Sequence, residues 1–354
     1  MKFPRVSIII LNWNGWKDTI ECLESLYRIT YPNYDVIVVD NGSKDDSIQK
    51  IKEYAEGKIR VDSKFFEYNP ANKPIKVFGI SEDEAKQGKF NRAVYEKLDV
   101  DRRMILIKNK DNYGFAGGNN VGIKFALSVL NPDYVLLLNN DTVVDKRFLG
   151  ELVKVAESNE KIGIVGPKIY YYDYNGRSDI INFAGEHFIL PLAIGIKYGN
   201  KKKDNNAFNK VKNVNKIDGA CMLIKNSVIS NVGLLDERYF LYLEDNDYCI
   251  RSKRAGFILL YVPSAIIWHK VSASTRGLQG KVSLTTFYYL VRNRFLLTRK
   301  FSLIHWICYI VFFFIIDFWL KIGFLYKNAG LSTKFLILLY KAVLDGVFGI
   351  NGER

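Results

Sequence analysis

Residues 134–148 read YVLLLNNDTVVDKRF. Five apolar or aromatic residues run without a break into Asn139, Asn140 and Asp141, after which the chain turns polar and takes on a helical pattern. A short continuous apolar run has the signature of a strand covered on both faces. Such a strand delivers two amides and a carboxylate to its tip, and a buried carboxylate is costly unless hydrogen-bond donors or a cation compensate it. Two readings follow from the stretch alone. Asp141 caps the next helix, or it binds Mg²⁺ or Mn²⁺ through oxygen and so reaches substrate phosphates.

Working outward, similar runs appear in RVSIIILN and YDVIVVDNGS, separated by GWKDTIECLESLYR, in which Trp16, Ile20, Leu23 and Leu26 recur at helical spacing. Buried strands alternating with amphipathic helices predict an α/β fold with a mostly parallel central sheet flanked by helices. Open sheets of this kind bind ligands beyond the carboxyl ends of their strands. Asn12, Asp40 and Asp141 all fall at that edge. Residues 58–103 are rich in Lys, Glu and Asp without a clear period, and read as an insertion decorating the sheet. From Ile162 the pattern shifts to short strands with Gly and Tyr, which predicts a partly antiparallel half suited to an acceptor.

The chain has 354 residues and is 48% apolar, enough for one large α/β domain with an appendage. Its 51 basic against 37 acidic residues give a net charge of +14. That excess favours an anionic partner: nucleic acid, an acidic membrane surface or phosphorylated ligands. Cys22, Cys221, Cys249 and Cys308 are widely spaced among apolar neighbours and read as core thiols in a reducing compartment, with no zinc site. The first apolar run is too short for a signal peptide, so the main domain is expected in the cytoplasm.

The last part is different in character. Residues 302–325, SLIHWICYIVFFFIIDFWLKIGFL, reach the length of a membrane span, although Asp317 and Lys321 interrupt them, and a second apolar run follows at 334–350. Basic residues flank the first segment on both sides, which favours a helical hairpin or an interfacial helix over a single span. The alternative is a pair of helices packed on the catalytic domain or on a second copy in a homo-oligomer. The expected division is 1–280 for the catalytic domain and 281–354 for this helical, membrane-associated segment.

Other segments carry candidate chemistry. NYGFAGGNNVG, residues 112–122, supplies glycines for close backbone approach and a helix start suited to phosphate, making Asn112, Gly117, Gly118 and Asn119 donor-site candidates. YLEDNDYCIRSKRAGF sets Glu244, Asp245 and Asp247 at a helix start, either as complements to the helix dipole or as a general base with orienting neighbours. His269 ends a further strand-like run and could pair with a carboxylate at a metal. Arg292 and Asn293, in YYLVRNR, either bind the donor diphosphate or an acceptor phosphate, or belong to a basic helix beside the membrane.

Taken in order, VSIIILNWNGWKDTIECLESL, VIVVDNGSKDDS, NYGFAGGNNVGI, YVLLLNNDTVVD, IDGACMLIK, LLDERYFLYLEDNDYCIRSKRAG, VPSAIIWHKVSAS and FYYLVRNR resemble the family 2 glycosyltransferases, especially the rhamnosyltransferase-like branch. The resemblance covers residues 6–294 apart from the insertion. It implies a GT-A fold and inverting, metal-dependent transfer of one sugar from a nucleotide-diphospho-sugar to a lipid-linked or surface-glycan acceptor. The apolar C-terminal segment and its flanking basic residues add an expected place at the cytoplasmic face of an anionic membrane, with no nucleic acid as partner.

On that resemblance Asp40 contacts the nucleotide, Asn12 lies in the first donor loop, and Asn139-Asn140-Asp141 occupies the DxD position with Asp141 as metal ligand. Asn139 replaces the first Asp of that motif. His269 is a further metal or pyrophosphate contact, and Asp245, beside Glu244, takes the proton of the acceptor hydroxyl. The neighbouring Glu244 and Asp247 are expected to raise the Asp245 pKa. Two rival readings are a catalytically degenerate membrane-bound scaffold and a processive polysaccharide synthase; the latter is opposed by the missing QxxRW motif.

Overall fold

A computed structural model of the chain describes residues 3–271, 283–329 and 333–350. The junction expected at 280/281 and the last residues of VPSAIIWHKVSAS lie outside them. Strands β1 (Val6–Asn12), β2 (Tyr34–Asp40), β3 (Lys76–Ser81), β4 (Arg103–Lys108) and β5 (Tyr134–Asn139) run parallel in the spatial order β5-β1-β2-β4-β3. Because successive side chains point to opposite faces, each apolar run feeds two cores. Ile8, Ile10, Val36, Val38, Leu136 and Leu138 pack against α1 (Trp16–Leu26) and α2 (Ser47–Ala55). Ile9, Ile37, Val39, Ile105, Val135 and Leu137 pack on the other face against α3 (Glu82–Lys86), α4 (Arg92–Tyr95) and α5 (Gly114–Phe125).

Residues 58–103 are more than a decoration. They supply β3, the edge strand, in register with β4 from Lys76↔Arg103 to Ser81↔Lys108. An edge strand is covered on fewer sides, so β3 remains largely half-exposed and lacks the apolar run that marks its neighbours. α3 then starts on a capping box between Ser81 and Glu84.

The second half is mixed. Its strands are β6 (Thr142–Val144), β7 (Ile162–Tyr171), β8 (Ile181–Phe183), β9 (Glu186–Ile189), β10 (Ile194–Lys197), β11 (Lys212–Asn213), β12 (Cys221–Lys225) and β13 (Ile258–His269), with helices α6 (Phe148–Ala156), α7 (Asn226–Val232) and α8 (Glu244–Arg254) between them. β12 lies antiparallel between β5 and β7, and β13 continues the sheet parallel to β7. β9 and β10 form a separate two-stranded ribbon.

At the C-terminus stand α9 (Leu284–Phe301), α10 (Leu303–Phe312), α11 (Phe318–Ala329) and α12 (Thr333–Phe348), with α10 and α11 joined through a π-turn at Phe313–Asp317. One face of this layer buries Tyr289, Phe295, Leu297, Tyr309, Phe313 and Leu339, together with Tyr239 of the catalytic half. The other face leaves Ile304, Ile307, Phe314, Ile315, Trp319 and Leu320 exposed. Leu303–Gly323 is long and apolar enough to cross a membrane. Asp317, which interrupts the apolar run, turns inward to Lys321 at 3.1 Å and Arg294 at 3.5 Å. Cys308 is exposed, whereas Cys22, Cys221 and Cys249 are buried as expected for core thiols.

Candidate active site

Strand pairing explains how distant residues meet at the tip of β5. β12 runs antiparallel to β5 with Cys221 opposite Leu138, and the Asn139 N–H donates to the Ala220 carbonyl at 2.9 Å. The residues preceding β12, Lys216 and Asp218, therefore reach the same edge. β6 follows Asp141 directly and pairs with the end of β13, setting Thr142 opposite His269. That places His269 Nε2 3.0 Å from Asp141 Oδ1. The start of α8 brings Glu244 and Asp245, which close a cavity of about 350 Å³ together with Asn139, Asn140, Asp141 and His269. This volume lies in the range of small-molecule sites.

Buried polar atoms in a folded protein ordinarily find a partner. Here Asn139 Oδ1, Glu244 Oε2, Asn246 Nδ2 and His269 Nδ1 are buried without a hydrogen bond, and all four residues line the cavity. Such a wall is built for a polar ligand.

The charges are strongly interdependent. Burial, reinforced by the Asp245 charge and opposed by Lys216, pushes the Glu244 carboxyl up to about 8. Asp245 accepts from the Gly219 N–H at 3.1 Å and faces Lys216 Nζ at 3.2 Å. Burial would pull the Lys216 ammonium down, but Asp245, Glu186 and Asp218 hold it above its ordinary value. Burial likewise works against the Asp218 carboxylate, yet Lys197, Lys216 and His269 keep it well below the usual range. For His269, burial lowers the imidazole and the Asp141 carboxylate outweighs it, so the group titrates above its ordinary value.

Among the described residues no group of three or more His, Cys, Asp or Glu side chains is arranged to cage a metal. The donor set at the β5 tip is smaller: the Asp141 carboxylate, the His269 imidazole and the partnerless Asn139 oxygen. These are the side chains here that could hold a divalent cation.

Several expected residues lie elsewhere. Asn12 and Asp40 are buried and hydrogen-bond each other at 2.8 Å, within a chain that continues from Asn12 Oδ1 to Thr19 and on to Asn140. Both Asp40 oxygens accept from protein groups, Asn12 and the Ser43 N–H, so this acid supports the edge without lining the cavity. Asn112 accepts from Asn41 at 2.8 Å and shapes the turn into α5. Gly117 and Gly118 serve close packing: a Cβ at either would meet Tyr113 or Leu11 within 2.7 Å. Asn119 is buried in the same helix and bonds the Phe115 carbonyl.

Arg292 is also displaced from its expected role. It is buried in α9, where it donates to the Arg238 carbonyl and stacks near Tyr289, far from solvent. Asp247 is turned away from Asp245 and bound by Arg251 at 2.7 Å and Lys300 at 2.6 Å. Glu244, the neighbour of Asp245, carries a raised carboxyl. Lys216, Asp218 and Glu186 escaped the sequence reading, although Lys216 and Asp218 stand just before a buried apolar run, mirroring the signal that marked Asp141.

Comparisons with known proteins place the chain in a family. A model described as glycosyltransferase-like family 2 matches residues 69–286, and one described as glycosyl transferase family 2 matches residues 7–72. The chain belongs to the family 2 glycosyltransferases. This family 2 member is 32% identical over 148 residues to the low-salt glycan biosynthesis hexosyltransferase Agl10 of Haloferax volcanii, covering 42% of this chain and 46% of that protein. It is 29% identical over 203 residues to the rhamnosyltransferase WbbL of Escherichia coli K12, covering 54% of this chain and 75% of that one. Among solved structures it resembles the mannosyltransferase PcManGT of Pyrobaculum calidifontis, in complex with GDP-Man and Mn²⁺. There the TM-score is 0.54 at 13% identity, over 99% of this chain and 89% of that one. That likeness shows the GT-A fold alone. The match spans under half the length of the Haloferax relative.

Proposed function

We propose that the protein transfers one sugar from a nucleotide-diphospho-sugar to a lipid-linked or cell-surface glycan acceptor, with inversion, at the cytoplasmic face of a membrane. The observation that carries this reading is the cavity at the sheet edge, where partnerless buried polar atoms of Asn139, Glu244, Asn246 and His269 surround Asp141 and Asp245. The relatives named rhamnosyltransferase and hexosyltransferase support the reaction class.

In this reading the donor diphosphate lies across the β5 tip and the acceptor enters from the side of β9, β10 and α8. Asp141 and His269, with the Asn139 amide oxygen, would hold a divalent cation that neutralises charge on the departing diphosphate. Asp245 takes the proton of the acceptor hydroxyl as that oxygen bonds the anomeric carbon. The carbon–oxygen bond to the diphosphate breaks, and its electron pair leaves with the nucleoside diphosphate. Lys216 orients Asp245. Glu244 is protonated near neutral pH and donates a hydrogen bond into the cavity.

Membrane association rests on the exposed apolar face of α10 and α11 with Arg299 and Lys300 at its approach. The inward-facing Asp317 favours a helix lying in the interface over one crossing it. The test is a panel of nucleotide sugars offered to purified protein with Mg²⁺ or Mn²⁺, scored for donor hydrolysis and for transfer to a polyprenyl-diphospho-sugar. Turnover of at least one donor is expected; no hydrolysis and no binding across the panel would overturn the proposal.

A further inference from the structure

The loop that carries Tyr239 to Leu243 into α8 has an unusual backbone. Phe240, Tyr242 and Leu243 hold φ of 60°, 69° and 68°, and none is glycine. Three such residues within four positions persist only where the surroundings determine them. Leu241, Tyr242 and Leu243 line the cavity, and the next two residues are Glu244 and Asp245. Whatever fixes this loop therefore fixes the two acids.

On one side the loop rests on α5. The Phe240 carbonyl accepts from the Phe115 N–H at 2.6 Å, and a Cβ on Gly114 would meet that carbonyl at 2.4 Å. On the other side stands α9, and its central contact is a single amide. Asn293 is fully buried, and its Nδ2 donates to the carbonyls of Tyr239 at 3.0 Å, Leu241 at 2.9 Å and Tyr242 at 2.8 Å. The Tyr239 carbonyl also accepts from the Leu241 N–H at 2.6 Å, and the two N–H groups of Asn293 reach all three carbonyls of this contorted stretch from outside it. Arg292 adds the Arg238 carbonyl, and Phe240 stacks on Tyr289 with ring centres 5.1 Å apart.

We propose that Asn293 is the positioning residue for the Glu244–Asp245 pair, so that α9 and the apolar helices attached to it set the geometry of the acceptor side. The proposal rests on the glycosyl-transfer reading only for its consequence in turnover; the clamp itself is a property of the fold. The same contacts absorb Asn293 and Arg292 of the YYLVRNR segment, which take no part in lining the cavity.

The experiment uses the full chain and two variants of α9. Asn293→Ala removes the clamp. Tyr288→Phe removes the neighbouring buried contact to Asp345, which joins α9 to α12 without touching the loop. Hydrogen exchange without substrate is followed over residues 237–247. Asn293→Ala is expected to accelerate it at least tenfold, and Tyr288→Phe to leave it within twofold. With whichever nucleotide sugar the wild type turns over, Asn293→Ala should lower kcat about a hundredfold and keep the donor KM within threefold, while Tyr288→Phe keeps kcat within twofold. Unchanged exchange in Asn293→Ala, or equal losses in both variants, would overturn the proposal. Should Asn293→Ala fail to fold, Asn293→Ser, which keeps one donor, is read by the same two measurements. A wild type without turnover sinks the transfer reading and leaves the exchange result to decide the clamp.

Discussion

Replacing Glu244 by Gln tests the electrostatics of the site without requiring a substrate. Glu244 is buried, and its carboxyl is held at about 8 against an ordinary 4.5. Above pH 4.5 the unfolded chain releases this proton while the folded protein keeps it, so the folded state binds more protons and its stability falls as pH rises. The loss develops between pH 4.5 and about 8 and is complete above that. At ~1.4 kcal/mol per pH unit its ceiling is about 5 kcal/mol, and relaxation around Lys216 reduces the expectation to roughly 2–4 kcal/mol.

Glu244→Gln removes the titration and keeps the volume. At pH 5 the variant and the wild type should agree within about 1 kcal/mol, since both side chains are then neutral. At pH 8.5 the variant should be the more stable by roughly 2–4 kcal/mol. Urea unfolding followed by tryptophan fluorescence at several pH values measures the difference, and comparison of the two proteins cancels the titrating groups that do not interact with Glu244. A stability difference that stays constant from pH 5 to 8.5 would refute the raised carboxyl and with it the proposed division of roles between Glu244 and Asp245.

Three further outcomes are expected. Asp245→Asn should lower transfer by at least about a thousandfold while donor binding persists, because a positioned base typically contributes 10²–10⁴ and the donor side is untouched; full turnover by the purified variant would remove Asp245 from the chemistry. Asp141→Ala should weaken binding of a nucleoside diphosphate in Mn²⁺ by about tenfold or more and have little effect in EDTA, measured by calorimetry, with equal affinities counting against the cation site. Replacing Ile315 and Trp319 on the exposed face by Glu should release the protein from anionic vesicles and leave its thermal unfolding unchanged, since neither side chain is buried; continued co-sedimentation would show that another surface makes the contact.

Much of the fold was legible in the chain because buried strands and amphipathic helices write their periods locally. VSIIILN, YDVIVVD and YVLLLN became β1, β2 and β5, and the pattern shift at Ile162 falls at β7, after the short β6 has opened the mixed half. Residues 58–103 concealed β3, because an edge strand with one exposed side has no apolar run to display. The inward turn of Asp317 was hidden for a related reason: composition counts a charge in an apolar segment, and only packing tells which face it occupies.

At the site, the sequence alone placed Asn12, Asp40 and Asp141 at the edge where an open sheet binds ligands, Glu244 and Asp245 at a helix start and His269 at a strand end. It could also order the motifs as the family orders them. Pairing between strands decided the rest. The antiparallel placement of β12 beside β5 brought Lys216 and Asp218 to the cavity, and the short β6 ladder set His269 against Asp141. Burial then raised the Glu244 carboxyl, turned Asp247 toward Arg251 and Lys300, and made Asn293 a clamp. Charge partners are chosen across the fold by distance and desolvation, and neither quantity is defined until the chain has folded.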